Sequence, residues 1–332
     1  MILKPFQYLY EVGSSLKNKL YDKNYLKQID IGVPVISVGN LSVGGTGKTP
    51  CVQMLVEQIL KNSPSKKITI VSRSYKAGLK KPQKVDLNLP NAVEIYGDEP
   101  CLLQQMLPSV SVWSGPAKSE TARQAVQGEK ADVVIVDDGF SHRKLARQFD
   151  LVLIDATAPF NYLQPLPSGR LREPMSALNR ASAVLITRAN LVDAQKIEKL
   201  HSMILGAAGH LKNKIFDSQS LTRLPGISSP SELFVFCGLG NPKSFKDSLE
   251  NLGHKVAVFK SFPDHYSYTV KDLDRLLAEF QAHPGLKLVT TQKDLIKIKR
   301  HEILNRIFVA ENRIQVLDHR EGELLEKINQ CI

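Results

Sequence analysis

No CxxC pair, no Cys/His cluster with zinc spacing and no long apolar run occurs in this sequence of 332 residues. Its four cysteines, Cys51, Cys101, Cys237 and Cys331, are scattered, which excludes a disulfide framework and a structural zinc site. Reduced thiols in a cytoplasmic compartment are expected. The longest purely apolar stretches, such as Val133 to Val136 and Leu151 to Ile154, fall far short of the roughly 18 residues that a bilayer span requires. Lys4 is followed by no apolar segment of the kind a secretory signal carries. Aromatic residues make up only 7%, sparse for a groove that stacks single-stranded nucleic acid. No internal repeat or low-complexity tract breaks the chain.

What is present is a soluble globular composition, 42% apolar and 23% charged, on a chain long enough for about two domains. Lys and Arg number 44 against 33 Asp and Glu, a net charge of +11. That excess favours anionic partners, whether nucleic acid, phosphorylated metabolites or a membrane surface. The basic clusters Lys66-Lys67, Lys80-Lys81 and Lys297-Ile298-Lys299-Arg300 are short and read as solvated faces.

The first 20 residues fit an amphipathic helix. At 100° per residue, Ile2, Phe6, Leu9, Gly13, Leu16 and Leu20 fall within about 80° of one another, with Lys4, Glu11, Ser15 and Asn18 opposite. Up to residue 28, five Lys against Glu11 and Asp22 leave a charge of +3. Such a helix either lies in a membrane interface with its apolar face down or packs that face onto its own domain.

Beyond it, short β-rich runs alternate with helical patterns. Strands are expected at Val33–Val38, Ile68–Ser72, Ala92–Tyr96, Ser109–Trp113, Asp132–Val136, Leu151–Ile154 and Ala183–Thr187, and helices at Thr49–Lys61, Pro100–Met106, Ser119–Gln127 and Asp193–Leu205. Continuous Val/Ile/Leu strands separated by helices imply a parallel sheet covered on both faces. A polar, turn-rich stretch from Asp217 to Ser231 reads as a linker. After it come strands at Leu233–Cys237, Val256–Phe259 and Leu286–Thr291, with helices at Lys243–Leu252 and Val270–Phe280. The expected fold is α/β, a P-loop NTPase-like mostly parallel sheet with helices on both faces, plus a second, smaller α/β domain. The expected boundaries are 1–20 for the amphipathic helix, 21–218 for the P-loop domain and 219–332 for the smaller one.

The strongest local signal is Val38-Gly39-Asn40-Leu41-Ser42-Val43-Gly44-Gly45-Thr46-Gly47-Lys48-Thr49-Pro50, placed between a strand and a helix as a P-loop must be. Small residues let the backbone approach a polyphosphate while N–H groups and the helix N-terminus supply positive potential. Ser42, Gly44, Gly45, Thr46, Gly47, Lys48 and Thr49 are therefore the expected nucleotide contacts. Lys48 would reach the β- and γ-phosphates, and the Thr49 hydroxyl would ligate Mg²⁺. The strict pattern wants Gly where this chain has Ser42. Asp132-Val133-Val134-Ile135-Val136-Asp137-Asp138-Gly139-Phe140 is an apolar strand ending in two carboxylates, as in a Walker B element that holds the metal. These two motifs leave a small-molecule kinase, a GTPase and a nucleic-acid motor open. For the guanine-reading sequence Asn-Lys-x-Asp, the nearest match is Thr291-Gln292-Lys293-Asp294, with Gln in place of Asn and a position in the second domain.

The ordered set of motifs resembles one family, the tetraacyldisaccharide 4'-kinases of lipid A synthesis. After the P-loop come Gly97-Asp98-Glu99-Pro100, Asp137-Asp138-Gly139-Phe140-Ser141-His142 and Leu166-Pro167-Ser168-Gly169-Arg170-Leu171-Arg172-Glu173-Pro174. Phe236-Cys237-Gly238-Leu239-Gly240-Asn241-Pro242, Phe262-Pro263-Asp264-His265-Tyr266 and Thr291-Gln292-Lys293-Asp294 complete the set. The resemblance covers nearly the whole chain. It departs at Ser74, where the family has Gly, and around Gly115-Pro116-Ala117-Lys118, where a basic segment is not matched.

The resemblance implies transfer of the γ-phosphate of ATP, with Mg²⁺, to a sugar hydroxyl of a glycolipid, the lipid A disaccharide 1-phosphate. It implies that Asp98 is the general base, with His265 of the other domain as its partner, so that hinge closure completes the site. Without the resemblance, Asp98 reads as a helix cap. Asp137, Asp138 and Glu173 would join Thr49 around the metal, and Arg172 would neutralise charge on the transferring phosphoryl group. It further implies a peripheral protein on the cytoplasmic face of the bacterial inner membrane, held through residues 1–20. A monomer that binds no nucleic acid is expected.

Overall fold

The computed structural model describes residues 4–73, 78–298 and 300–332. Ile2, Ser74 and Lys299, all singled out above, lie outside the described residues, as do the side chains of Lys4 and Leu9. Lys297 of the third basic cluster is buried rather than solvated.

The chain runs through α1 (Lys4–Asp22), β1 (Val35–Asn40), α2 (Lys48–Asn62), β2 (Ile68–Arg73), β3 (Gln83–Lys84), α3 (Ala92–Tyr96), α4 (Asp98–Met106), β4 (Ser111–Gly115) and α5 (Lys118–Glu129). It continues with β5 (Val133–Asp137), β6 (Phe149–Asp155), β7 (Ala183–Thr187), α6 (Ala194–Ala207) and β8 (Ile215–Arg223). Then follow β9 (Glu232–Cys237), α7 (Pro242–Asn251), β10 (Lys255–Ser261), α8 (Val270–Gln281), β11 (Lys287–Thr291), α9 (Gln292–Leu295), β12 (Ile307–Val316) and α10 (Glu321–Asn329).

Two compact units result. The larger comprises Met1–Asp86, Ile95–Ser220 and Ile314–Ile332, and the smaller Leu87–Glu94 and Leu221–Arg313. The expected boundary at 219 lies beside the observed one, but the C-terminal residues 314–332 return to the larger unit.

In the larger unit the strand order is β8-β7-β6-β1-β5-β2-β4-β3. Every pairing from β8 through β4 is parallel, and β3 closes the edge antiparallel to β4. Strands β1, β5 and β7 are buried along their whole length, which is why they read as unbroken apolar runs rather than alternating ones. Ala122 and Ala125 of α5 pack on Val35, Val71, Val134 and Val136 of the sheet. Leu200 and Ile204 of α6 join a second cluster with Val152, Ile154, Val184 and Ile186. Gly39 must be glycine because a Cβ there would stand 2.6 Å from Cβ of Phe140 and 2.7 Å from its backbone nitrogen. In the smaller unit the order is β10-β9-β11-β12, all parallel. Phe234 and Phe236 on one face of β9 and Val235 and Cys237 on the other seed separate clusters.

Two expected elements differ. Residues 92–96 form helix α3, not a strand, because its buried residues Ala92 and Tyr96 stand four apart, a helical repeat, with Glu94 exposed between them. The stretch read as a linker begins as strand β8. Polar Ser218 is fully buried there because its hydroxyl donates to the Ile186 carbonyl at 3.0 Å, so polarity did not mean exposure.

Helix α1 turns its polar side inward. Asn18 Nδ2 donates to Glu173 Oε2 at 2.7 Å, Tyr10 Oη donates to the Arg172 carbonyl at 3.0 Å, and Arg143 donates to the Asn18 carbonyl and to Asp22. Its apolar side is left open, with Phe6 61% and Leu16 57% exposed.

Candidate active site

The Gly-rich stretch joins the C-terminal end of β1 to the first turn of α2, where parallel strands of an α/β sheet present their ligand crevice. Gly44 and Gly47 take left-handed backbone, φ +113° and +90°, which glycine adopts at low cost. A Cβ added at Gly44 or Gly45 would meet nothing within 4 Å, so the rim of the loop is open. Ser42 replaces the strict glycine without strain because it bridges antiparallel to Leu171, a strand-like backbone that any residue adopts.

The carbonyls of the loop are tied from outside. Asn40 Nδ2 donates to Ser42 O at 2.8 Å, Arg188 Nη2 to Gly45 O at 3.2 Å and Thr187 Oγ1 to Thr46 O at 2.9 Å. In a trans peptide the N–H points opposite to the C=O, so the bonds on Gly45 O and Thr46 O turn the amides of Thr46 and Gly47 toward the interior of the loop, where an anion would sit, whereas the Val43 amide after Ser42 donates to the Arg170 carbonyl at 2.8 Å. Thr46 Oγ1 is buried and has no hydrogen-bond partner.

Around this cradle the structure brings together Lys48, Asp137, Asp138, Arg172 and Lys118. Arg172 donates to both oxygens of Asp138, at 2.7 and 2.9 Å, and to Asn40 Oδ1 at 2.6 Å. Lys48 Nζ lies 3.7 Å from Asp138 Oδ1. Burial alone would raise Asp138, but the Arg172 hydrogen bonds and the charges of Lys118 and Lys48 hold it well below the carboxylate range. Asp137 is fully enclosed; burial, helped by the charge of Glu99, pushes it up to about 6 against Lys48 and Lys118. Its Oδ2 accepts from Ser72 at 3.0 Å, while Oδ1 has no partner.

These orphaned oxygens of Thr46 and Asp137, beside an open glycine rim, fit a phosphate chain with a hard cation. Mg²⁺ takes one or two carboxylates together with phosphate oxygens rather than a full protein cage. No cluster of three or more His, Cys, Asp or Glu that could hold a metal is found among the described residues.

Glu173, expected at the metal, is engaged elsewhere. Its buried carboxylate pairs with Arg180 at 3.0 Å and accepts from Asn18. Burial would raise it, but Arg180, Ser141 and Asn18 lower it. It is an anchor for α1, two residues on from Leu171, which pairs with the phosphate loop.

Asp98 is the first residue of α4, and Gly97 before it holds the N-cap position that the cap reading gave to Asp98. As the first helical residue it sits in the positive end of the helix dipole. Its neighbour Glu99 acts electrostatically on both Asp137 and Lys118. His265 belongs to the smaller unit, where it has φ +60°, a side chain 68% exposed, and Nε2 4.0 Å from Asp264. Asp294 of the Thr291-Gln292-Lys293-Asp294 sequence is fully buried and accepts from the Gly238 amide and the hydroxyls of Tyr268 and Thr291. It braces the glycine turn after β9 instead of reading a base.

Sequence reasoning missed Lys118, His142, Thr187 and Arg188. Lys118 Nζ donates to the carbonyls of Asp137 and Asp138; burial lowers it to about 8 despite the attraction of the two carboxylates. His142 is lowered to about 4 by burial and then by the charge of Lys118. A lysine heading α5 directly after a strand was the available signal for the first of these.

Comparison with known proteins identifies the family. The family model described as tetraacyldisaccharide-1-P 4'-kinase matches residues 1–332. A protein named tetraacyldisaccharide 4'-kinase from Bdellovibrio bacteriovorus is 33% identical over 344 residues, covering 99% of this chain and 98% of its own. One of the same name from Aquifex aeolicus is 38% identical over 335 residues, covering 98% and 97%. A crystal structure of LpxK from Aquifex aeolicus in complex with ATP superposes with a TM-score of 0.78 at 34% identity, covering 99% of this chain and 98% of that one.

Proposed function

The chain belongs to the tetraacyldisaccharide-1-P 4'-kinase family, and on that footing we propose that it transfers the γ-phosphoryl group of ATP to the 4'-hydroxyl of tetraacyldisaccharide 1-phosphate. The observation that carries this reading is the convergence of Lys48, Asp138 and Arg172 on the open rim of the glycine loop. Mg²⁺, bound through the Thr49 hydroxyl, Asp137 or Asp138 and phosphate oxygens, supplies charge neutralisation on the transferring group.

The inward amides of residues 44–49 hold the phosphates, and Lys48 neutralises their charge. Arg172, fixed by Asp138 and Asn40, presents a rigid cation to the equatorial oxygens of the transferring group. Asp98 accepts the proton of the attacking sugar hydroxyl, and His265 is its proposed partner. Lys118 holds the strand end that carries both aspartates.

Helix α1 is the membrane contact. Its polar side is spent on Arg172, Glu173 and Arg143, which leaves Phe6, Val12 and Leu16 outward and exposed, the arrangement an interfacial helix needs. No helix among the described residues is long and apolar enough to cross a membrane. The reading places the protein at the cytoplasmic face of the inner membrane, where the acceptor lies.

The test is incubation with γ-labelled ATP, Mg²⁺ and tetraacyldisaccharide 1-phosphate. Label should appear in the glycolipid. Phosphate release with no label in the glycolipid would show an NTP-driven switch and overturn the reading.

A further inference from the structure

Helix α1 leaves Phe6, Val12 and Leu16 exposed, so polar contacts hold it on its own domain. Two of these contacts end on consecutive residues of the catalytic segment. Tyr10 Oη donates to the Arg172 carbonyl at 3.0 Å, and Asn18 Nδ2 donates to the Glu173 carboxylate at 2.7 Å. A helix that served only as a membrane contact would have no need to grip the residue that faces the transferring phosphoryl group.

We propose that Tyr10 and Asn18 are positioning residues for phosphoryl transfer: they fix the main chain at Arg172 and Glu173 and thereby aim the Arg172 guanidinium. This rests on the kinase reading above and is separate from the membrane contact, which uses the exposed apolar residues of the helix. Three features support it. First, the main chain of Arg172 is held on both sides. Its N–H donates to the carbonyl of Leu41, at the start of the phosphate loop, at 2.6 Å, and its carbonyl takes the Tyr10 hydroxyl. Second, the guanidinium spends Nη1 and Nη2 on Asp138 and Asn40, while Nε is buried and has no hydrogen-bond partner. Third, the Glu173 carboxylate that Asn18 holds also pairs with Arg180 at 3.0 Å, and the Arg180 guanidinium carbon lies 4.3 Å from the centroid of the Phe140 ring. Phe140 follows Asp138 by two residues, so both partners in the Arg172–Asp138 pair are reached from α1.

The length of the arginine side chain makes this support matter. The guanidinium stands several bonds from its own main chain, so a small rotation at the carbonyl is carried to the tip as a larger displacement. A misplacement of about 1 Å can cost about 100-fold in rate. Electrostatic stabilisation of the transferring group depends on a donor that is already in place when charge develops. Tyr10 and Asn18 touch neither nucleotide nor acceptor in this reading and act only through Arg172 and Glu173.

The test reads the grip on the transferring group without the acceptor. Calorimetry on the full chain with Mg²⁺ measures affinity for ADP with and without aluminium fluoride, which stands in for the transferring phosphoryl group. The variants are Tyr10→Phe with Asn18→Ala, Arg172→Ala, and all three together. Phenylalanine keeps the ring and alanine is the best helix former, so α1 itself is retained. Aluminium fluoride should tighten ADP binding to wild type, and the Tyr10→Phe, Asn18→Ala pair should reduce that gain by about tenfold or more. Affinity for ADP alone and sedimentation with anionic vesicles should stay unchanged. On the Arg172→Ala background the pair should alter the gain by less than about twofold, because the residue it positions is gone. No gain in wild type, a gain unchanged within about twofold in the pair variant, or an equal loss on the Arg172→Ala background each overturns the assignment. Lack of transfer to the glycolipid by wild type would instead overturn the kinase reading, and the fluoride comparison would still decide the role of Tyr10 and Asn18.

Discussion

Replacing Arg172 by alanine separates a positioned cation from a merely basic surface. Arg172 makes two charge-assisted bonds to Asp138, at 2.7 and 2.9 Å, and one to Asn40 at 2.6 Å. Bonds to charged groups contribute about 1.5–3 kcal/mol each when well enclosed. The side chains of Arg172 and Asp138 are 28% and 25% exposed, so water screens part of this, and a coupling of about 3 kcal/mol is the reasonable sum. Removing a positioned donor from the charge that develops in the transition state costs about 10²–10³ in rate, so kcat should fall by roughly two orders of magnitude. Arg172→Lys keeps the charge but loses the planar fork and should fall about tenfold. The assay is initial-rate transfer of label to the glycolipid at saturating ATP, run on Arg172→Ala, Asp138→Ala and the double variant. Because the two residues act together, the double variant should be less impaired than the product of the single effects, by about the coupling energy. Additivity within about 0.5 kcal/mol would refute the claim that Asp138 positions Arg172.

Three further outcomes are expected. His142 sits near 4 when folded, against an ordinary 6.5, so the unfolded chain binds more protons between those values. The wild type therefore loses up to about 3 kcal/mol as pH falls from 6.5 toward 4, a loss that the non-titrating His142→Gln escapes; urea unfolding should show the stability of wild type relative to the variant falling with acid, and parallel curves would count against it. Gly39→Ala places a Cβ 2.6 Å from Phe140 Cβ and should cost about 1–3 kcal/mol by overpacking, seen in calorimetry as a midpoint lowered by several degrees at about 2–4 °C per kcal/mol. An unchanged midpoint would mean that Phe140 yields freely. Phe6→Glu with Leu16→Glu should remove about 1.5–3 kcal/mol of apolar burial per residue and abolish sedimentation with anionic vesicles, while activity on detergent-dispersed acceptor persists; undiminished sedimentation would rule out the interfacial role of α1.

The phosphate loop and the aspartate pair were legible because each is a contiguous run whose chemistry and periodicity lie in neighbouring residues. The strands β1, β5 and β7 were legible for the same reason, since burial on both faces leaves mostly apolar residues, with Ser37, Asn40, Asp137 and Thr187 as the buried polar exceptions. Strand β8 was hidden because Ser218 meets its partner, the Ile186 carbonyl, 32 residues away. Residues 92–96 are too few for a strand period and a helix period to be told apart. Arg188 gives no local sign of its role, because the carbonyl it holds belongs to Gly45, 143 residues earlier. Glu173 was expected at the metal from its motif, whereas three-dimensional packing pairs its carboxylate with Arg180 and Asn18. In each of these cases a partner distant in sequence decided the outcome.

The return of residues 314–332 to the larger unit bears on the order in which the enzyme is made. A Cβ at Gly47 would lie 3.3 Å from Ile314 Cδ1, and Gln58 of α2 donates to Glu321 at 2.9 Å. The wall of the phosphate loop and the helix behind it are thus finished by residues that leave the ribosome some 260 positions after them. The smaller unit is synthesised in between, so a nascent chain arrested after Arg313 holds every nucleotide contact described above and still lacks the support behind them. The packing behind the phosphate loop is therefore completed only after the smaller unit has been made.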